Sequence, residues 1–90
     1  MRVLDVGQVV AGNFCGGLLA YFGAEVIKVE PPKGDPLRSL RLLDQTGVSY
    51  FYRSYSRNKK SITIDLKTEE GRALLRQLSE HVDVVVENFR

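Results

Sequence analysis

Four short apolar runs, rich in β-branched residues, are separated along this chain by polar or glycine-containing segments. Arg2–Val6 is the first; it stops at Gly7 and reads as a strand. Gly7–Gly12 reads as a turn, Asn13 as an N-cap, and Phe14–Phe22 as a helix whose Phe14, Leu18, Tyr21 and Phe22 keep helical spacing. Gly16 and Gly17 each cost about 1 kcal/mol relative to alanine inside a helix. Their presence predicts that another backbone or a ligand comes close, and Gly23 then supplies the stop. Glu25–Val29 is the second strand. Pro31, Pro32, Gly34 and Pro36 break regular structure, and Leu37–Gly47 reads as loop. Ser49–Tyr55 is a short helix or a strand; its length does not let periodicity decide. Ser61–Leu66 alternates Ile62 and Ile64 with Thr63 and Asp65, a third strand. Thr68 caps the following helix, with Glu69 and Glu70 in the first turn where the helix dipole favours acids. Leu74, Leu78 and Val82 share one face of it, and His81 lies near its end. Asp83–Glu87 carries Val84, Val85 and Val86 and predicts a fourth, buried strand.

Strands alternating with helices place the chain in the α/β class, with a parallel sheet and right-handed crossovers. Ligands of such sheets bind beyond the carboxyl ends of the strands. The ends of interest are Val6–Gly12, Leu66–Thr68 and Glu87–Arg90.

Composition narrows the function classes. The 90 residues are 43 % hydrophobic and 27 % charged, which is globular rather than disordered. A core this small makes independent stability doubtful unless other surfaces cover it. The net charge of +2 does not by itself indicate nucleic acid. Bases do concentrate from Arg38 to Lys67, a stretch that could meet a polyanion or simply be solvated. Within it Tyr50–Lys60 mixes aromatics and bases, but no nucleic-acid-binding module is recognisable. Cys15 is the lone cysteine, read as a buried structural thiol in a reducing, cytoplasmic setting, with the mitochondrion as the alternative. No apolar run reaches the roughly 20 residues of a membrane span, so no membrane partner is expected. His81 has no second ligand nearby, so neither a metal site nor a Ser-His-Asp triad is expected. Gly7, Gly12, Gly16 and Gly17 do not fit G-x-G-x-x-G, although Glu30 stands where a ribose-binding acid would. Glu30 otherwise reads as a solvated strand end, paired with Lys28 or Arg38. The turn Val10–Asn13 can still offer free N–H groups to a phosphate.

Five phrases in order carry a resemblance. They are Val3-Leu4-Asp5 with Val10-Ala11-Gly12, Phe22–Pro31, Arg57–Ile62, Asp65–Gly71 and Asp83–Arg90. Together they resemble the opening of the family III CoA-transferases, over nearly the whole chain. The α-methylacyl-CoA racemases of the same superfamily are similar too. The long segment from Pro32 to Lys59, with Tyr50-Phe51-Tyr52, favours the transferase branch.

The resemblance implies a Rossmann-like parallel sheet with flanking helices, the incomplete N-terminal part of a larger domain. It implies coenzyme A or acyl-CoA as substrate, a small carboxylic acid as acceptor, no metal, and an interlocked homodimer for the whole protein. Val10 and Ala11 would lie on the adenosine, Ile64 and Lys67 would flank the nucleotide, and Asn88, Phe89 and Arg90 would sit near the pantetheine. A charge-assisted bond from Lys67 to a phosphate would contribute about 1.5–3 kcal/mol. Many relatives carry an arginine after the second strand; here Pro31 stands there, and Lys33 or Arg38 is the candidate substitute. The catalytic aspartate, which attacks the thioester and passes through an anhydride and an enzyme–CoA thioester, is expected beyond Arg90, so the segment alone should be inactive. The alternatives are a racemase fragment, a non-catalytic nucleotide-binding module, and a truncated, aggregation-prone product.

Overall fold

A computed structural model describes residues 1–40 and 42–89 of the chain. The elements are β1 (Arg2–Asp5), α1 (Ala11–Tyr21), β2 (Glu25–Glu30), a 3₁₀ turn (Pro36–Ser39), α2 (Tyr50–Tyr55), β3 (Lys59–Thr63), α3 (Glu69–Ser79) and β4 (Val84–Val86). The four strands form one parallel sheet in the order β3-β2-β1-β4. The chain therefore steps outward from β1 through β2 to β3, then crosses back to the other side of β1. That reversal puts the topological switch point between β1 and β4, and all four carboxyl ends on one edge.

The period-2 alternation of the strands divides the core between the two faces. Leu4, Val6, Val29 and Ile64 are buried on one face, where Leu75, Leu78 and Val82 pack on them. Each such buried aliphatic contributes about 1.5–3 kcal/mol. Val3, Val26 and Ala20 form the core of the opposite face, under α1, flanked by Val84 and Val86. Thr68 caps α3 as its sequence predicts, its Oγ1 accepting from the Gly71 N–H at 3.0 Å.

Several boundaries differ from the sequence reading. α1 begins at Ala11, not Phe14, and Asn13 is a buried residue of its first turn rather than its cap. β3 runs over Lys59–Thr63, earlier than Ser61–Leu66, so Ile64–Leu66 leave the sheet at its carboxyl edge. Ser49–Tyr55 resolves into α2, with Ser49 Oγ accepting from the Phe51 N–H. β4 is an edge strand, and Val85 is 48 % exposed instead of buried. Cys15 is likewise exposed, on the outward side of α1 beside Phe14 and Leu18. The helical spacing of Phe14, Leu18, Tyr21 and Phe22 is real, but these side chains face away from the sheet. Glycine and alanine do the packing beneath them.

Candidate functional site

The carboxyl edge of the sheet holds a cleft of about 540 Å³ to which every strand end contributes. Val6 and Gln8 follow β1, Pro31, Pro32 and Lys33 follow β2, Ile64–Lys67 follow β3, and Phe89 follows β4. Its lining is mostly apolar, with Gln8, Glu30 and Asp65 and with two lysines, Lys33 and Lys67, that take part in no salt bridge among the described residues. Asp65 lies beside them, but its Oδ1 accepts the Lys67 N–H at 3.0 Å and so closes the turn. A mostly apolar cavity with a few cations at its rim suits a ligand with an apolar body and anionic groups. A second, smaller depression of about 350 Å³ lies between α1 and α2, away from the strand ends.

The turn between β1 and α1 forms one wall, and its backbone is unusually constrained. Gly7 and Gly12 touch: a Cβ on either would stand 2.5 Å from the other's Cα, so both positions need glycine. Every backbone polar group of Gly7, Gln8 and Val9 is met by a side chain from elsewhere. The Gly7 N–H donates to Asp5 Oδ1 (2.9 Å), and the Gly7 carbonyl accepts from Lys28 Nζ at a long 3.4 Å. Gln8 exchanges two bonds with the Asn88 amide, at 2.8 and 2.9 Å. The Val9 N–H donates to Asp35 Oδ1 (3.2 Å), and its carbonyl accepts from Asn13 Nδ2 (2.7 Å). No side chain caps α1, which opens this turn onto the first-turn N–H groups.

Behind the turn lies a layer of buried charge. On the α1 face, Lys28 pairs with Asp35 at 2.7 Å and Lys59 with Asp5 at 2.8 Å, all four side chains at most 1 % exposed. Asn13 bridges the pairs: its Oδ1 accepts from Lys28 (2.5 Å), its Nδ2 donates to Asp35 (2.7 Å), and its carbonyl accepts from Lys59 (3.0 Å). Gly16 makes room for the Asp5 carboxylate, with no space for a side chain between them. Burial would raise Asp35, yet bonds from the Leu37 N–H, Lys28 and Asn13 hold it below the usual carboxylate range. Burial pushes the Lys59 ammonium below its ordinary value despite Asp5 beside it.

Glu30 is buried rather than solvated. It receives a two-pronged bond from Arg38 (2.7 Å each), the Asp35 N–H (3.0 Å) and Ser61 Oγ (2.8 Å). Burial would raise its pKa; these donors prevail and bring it down to about 2. Arg38 also lies over the Tyr52 ring, 4.1 Å from its centroid. The basic stretch is thus largely spent internally: Arg38 on Glu30, Arg53 on Asp44, Lys59 on Asp5 and Lys60 on Glu25. Of these, only the Lys59 side chain is fully enclosed; those of Arg38, Arg53 and Lys60 stay at the surface while paired.

Of the residues singled out from sequence, Ile64, Lys67 and Phe89 line the cleft together. Val10, Ala11 and Asn88 are exposed and stand next to it, joined to its wall through Gln8. Asn88 spends one Nδ2–H and one Oδ1 lone pair on Gln8, so its second Nδ2–H, the other Oδ1 lone pair and its backbone are what it can offer a ligand. Arg90 lies outside the described residues. Sequence reasoning missed the Lys28–Asp35–Asn13 and Lys59–Asp5 clusters. Their signal was there: Asp5, Lys28 and Lys59 are charges inside strands, at positions whose parity places them on one face. Among the described residues, no group of three or more His, Cys, Asp or Glu could hold a metal ion, and no helix is long and apolar enough to cross a membrane.

The sequence profile of the family described as CoA-transferase family III matches residues 1–90. The chain is 58 % identical over 91 residues to a succinyl-CoA–D-citramalate CoA-transferase of Chloroflexus aurantiacus, covering all of this chain and 23 % of that protein. It is 45 % identical over 94 residues to a succinyl-CoA:mesaconate CoA-transferase of Haloarcula hispanica, covering 24 % of it. Among solved structures, a CAIB/BAIF family protein from Brucella suis superposes with a TM-score of 0.89 at 39 % identity, over 99 % of this chain and 25 % of that one. The chain thus spans about a quarter of the length of the curated relatives it matches.

Proposed function

Because the chain belongs to CoA-transferase family III, we propose that it forms the coenzyme-A-binding part of an enzyme that moves CoA from an acyl-CoA to a free carboxylic acid. The observation that supports this most is the convergence of all four strand ends on one apolar cleft with two lysines at its rim. Coenzyme A has the matching chemistry: a planar adenine and a long pantetheine arm for the apolar walls, and phosphates for cations. Lys67 serves a phosphate. Lys33 takes the place of the arginine that Pro31 replaces, since Arg38 is already held by Glu30 and Tyr52. Val10 and Ala11 face the adenosine from the β1–α1 turn, and Asn88 and Phe89 meet the pantetheine, with Arg90 following them.

The names of the relatives suggest the substrates. Succinyl-CoA with D-citramalate or mesaconate points to a succinyl-CoA donor and a small dicarboxylic acid acceptor. The nucleophile is taken, as in the family, to lie outside this segment, whose aspartates each hold a bond within the fold. Asp5 and Asp35 are buried on lysines, Asp44 pairs with Arg53, Asp65 closes the Leu66–Lys67 turn, and Asp83 accepts the Arg2 N–H. An aspartate elsewhere in the full-length protein attacks the thioester carbonyl, releasing CoA as the thiolate and leaving an anhydride. Exposed Phe14, Leu18, Tyr21 and Phe22 mark the face that the rest of a homodimeric enzyme covers.

The test is transfer itself. Full-length protein incubated with succinyl-CoA and a C4 or C5 dicarboxylic acid should yield the new acyl-CoA and free succinate. Inversion of a branched acyl-CoA with no transfer would contradict the reading and point to a racemase.

A further inference from the structure

Val9 is a β-branched residue with φ of 59°, in the left-handed region such side chains avoid. Strain of this kind persists only where the surroundings impose it. Here the source is visible. Asp35 holds the Val9 N–H (3.2 Å), and Asn13 holds the Val9 carbonyl (2.7 Å). Asp35 and Asn13 are themselves locked together (2.7 Å) and to Lys28 Nζ (2.7 and 2.5 Å). The cluster belongs to three separate segments, β2, the loop after it, and α1. It stands behind the turn, on the α1 face of the sheet, and neither Lys28, Asp35 nor Asn13 lines the cleft. No ligand can reach these side chains, because each is at most 2 % exposed.

We propose that Asp35, held by Lys28 and Asn13, is a positioning residue that keeps Val9 left-handed and so fixes the Val10–Ala11 edge in the orientation that receives coenzyme A. Without that hold, Val9 relaxes to negative φ, and the two residues after it swing with the turn. The ligand then binds only the fraction of molecules in which the turn is correctly formed, and apparent affinity falls by that fraction. This inference rests on the reading of the cleft as a coenzyme A site.

The test uses full-length protein and titration with coenzyme A alone. Asp35→Asn keeps an Oδ1 acceptor for the Val9 and Leu37 N–H groups but turns an amide toward Lys28 and Asn13. It should weaken coenzyme A binding by about five-fold or more. Val9→Gly removes the strain, because glycine takes φ of 59° unaided. Placed in the Asp35→Asn background, it should restore affinity to within about two-fold of wild type. If Asp35→Asn does not fold, Lys28→Met/Asp35→Asn, which leaves no unpaired buried charge, takes its place with the same expected loss and rescue. Unchanged affinity in the charge variant overturns the inference. So does a loss that Val9→Gly fails to rescue, because a purely structural defect would not respond to it. Failure of the wild-type protein to bind coenzyme A would instead refute the function proposed for the cleft.

Discussion

Replacing Gly16 with alanine opposes two effects of known sign. Alanine favours a helix interior over glycine by about 1 kcal/mol, so on an open helix face the change stabilises. Here the new Cβ would stand 2.3 Å from Asp5 Oδ2, 2.9 Å from Asp5 Cγ and 3.3 Å from Lys59 Nζ. Neither partner can step aside into water, because both side chains are fully enclosed. Moving the Asp5 carboxylate breaks its bonds to Lys59 and to the Gly7 N–H. Breaking a buried ion pair costs about 3–5 kcal/mol; less the propensity gain, the net destabilisation is about 2–4 kcal/mol. Amide hydrogen exchange of β1 and α1 in the full-length protein reads this locally, independent of how the rest of the molecule unfolds. A loss of 3 kcal/mol corresponds to roughly 10²-fold faster exchange through local opening. Exchange in Gly16→Ala as slow as in wild type, or slower, would show that helix propensity wins and that the enclosed Asp5–Lys59 pair is misplaced.

Glu30, depressed from 4.5 to about 2, binds fewer protons folded than unfolded between those values. Its contribution of about 3 kcal/mol is therefore complete above pH 4.5 and lost as pH falls toward 2; Glu30→Gln should flatten that limb of an acid-unfolding curve. Lys33→Ala and Lys67→Ala should each weaken coenzyme A binding by about ten-fold, more at low salt, while leaving the melting temperature unchanged. Arg38→Met should do the reverse, lowering the melting temperature through loss of the Glu30 pair with little direct effect on affinity. A melting temperature unmoved by Arg38→Met would contradict the role given to Glu30.

The α/β class was readable because alternation and capping are local. The β-branched runs around Val3, Val26 and Ile62, and Thr68 ahead of Glu69 and Glu70, each act within a few residues. Gly17 meets a backbone as its sequence predicts, the Tyr55 carbonyl, whereas Gly16 meets a side chain, the Asp5 carboxylate. What periodicity cannot reveal is which surface a face meets. The Phe14–Leu18 side of α1 is apolar, yet the sheet takes the other side, so Cys15 was misjudged as buried. Asn13 matched a capping residue by type, but its partners, Lys28 and Asp35, are distant in sequence. The pairing of Asp5 with Lys59 spans 54 positions, a distance at which residue type alone selects no partner.

Amide hydrogen exchange of the full-length protein, with and without saturating coenzyme A, probes the cleft most directly. Slowed exchange at Gln8–Ala11, Ile64–Lys67 and Asn88–Phe89 together, with the outer face of α1 unchanged, is the expected result. Coenzyme A that binds tightly while leaving those three segments unaltered would place the ligand elsewhere and contradict the account.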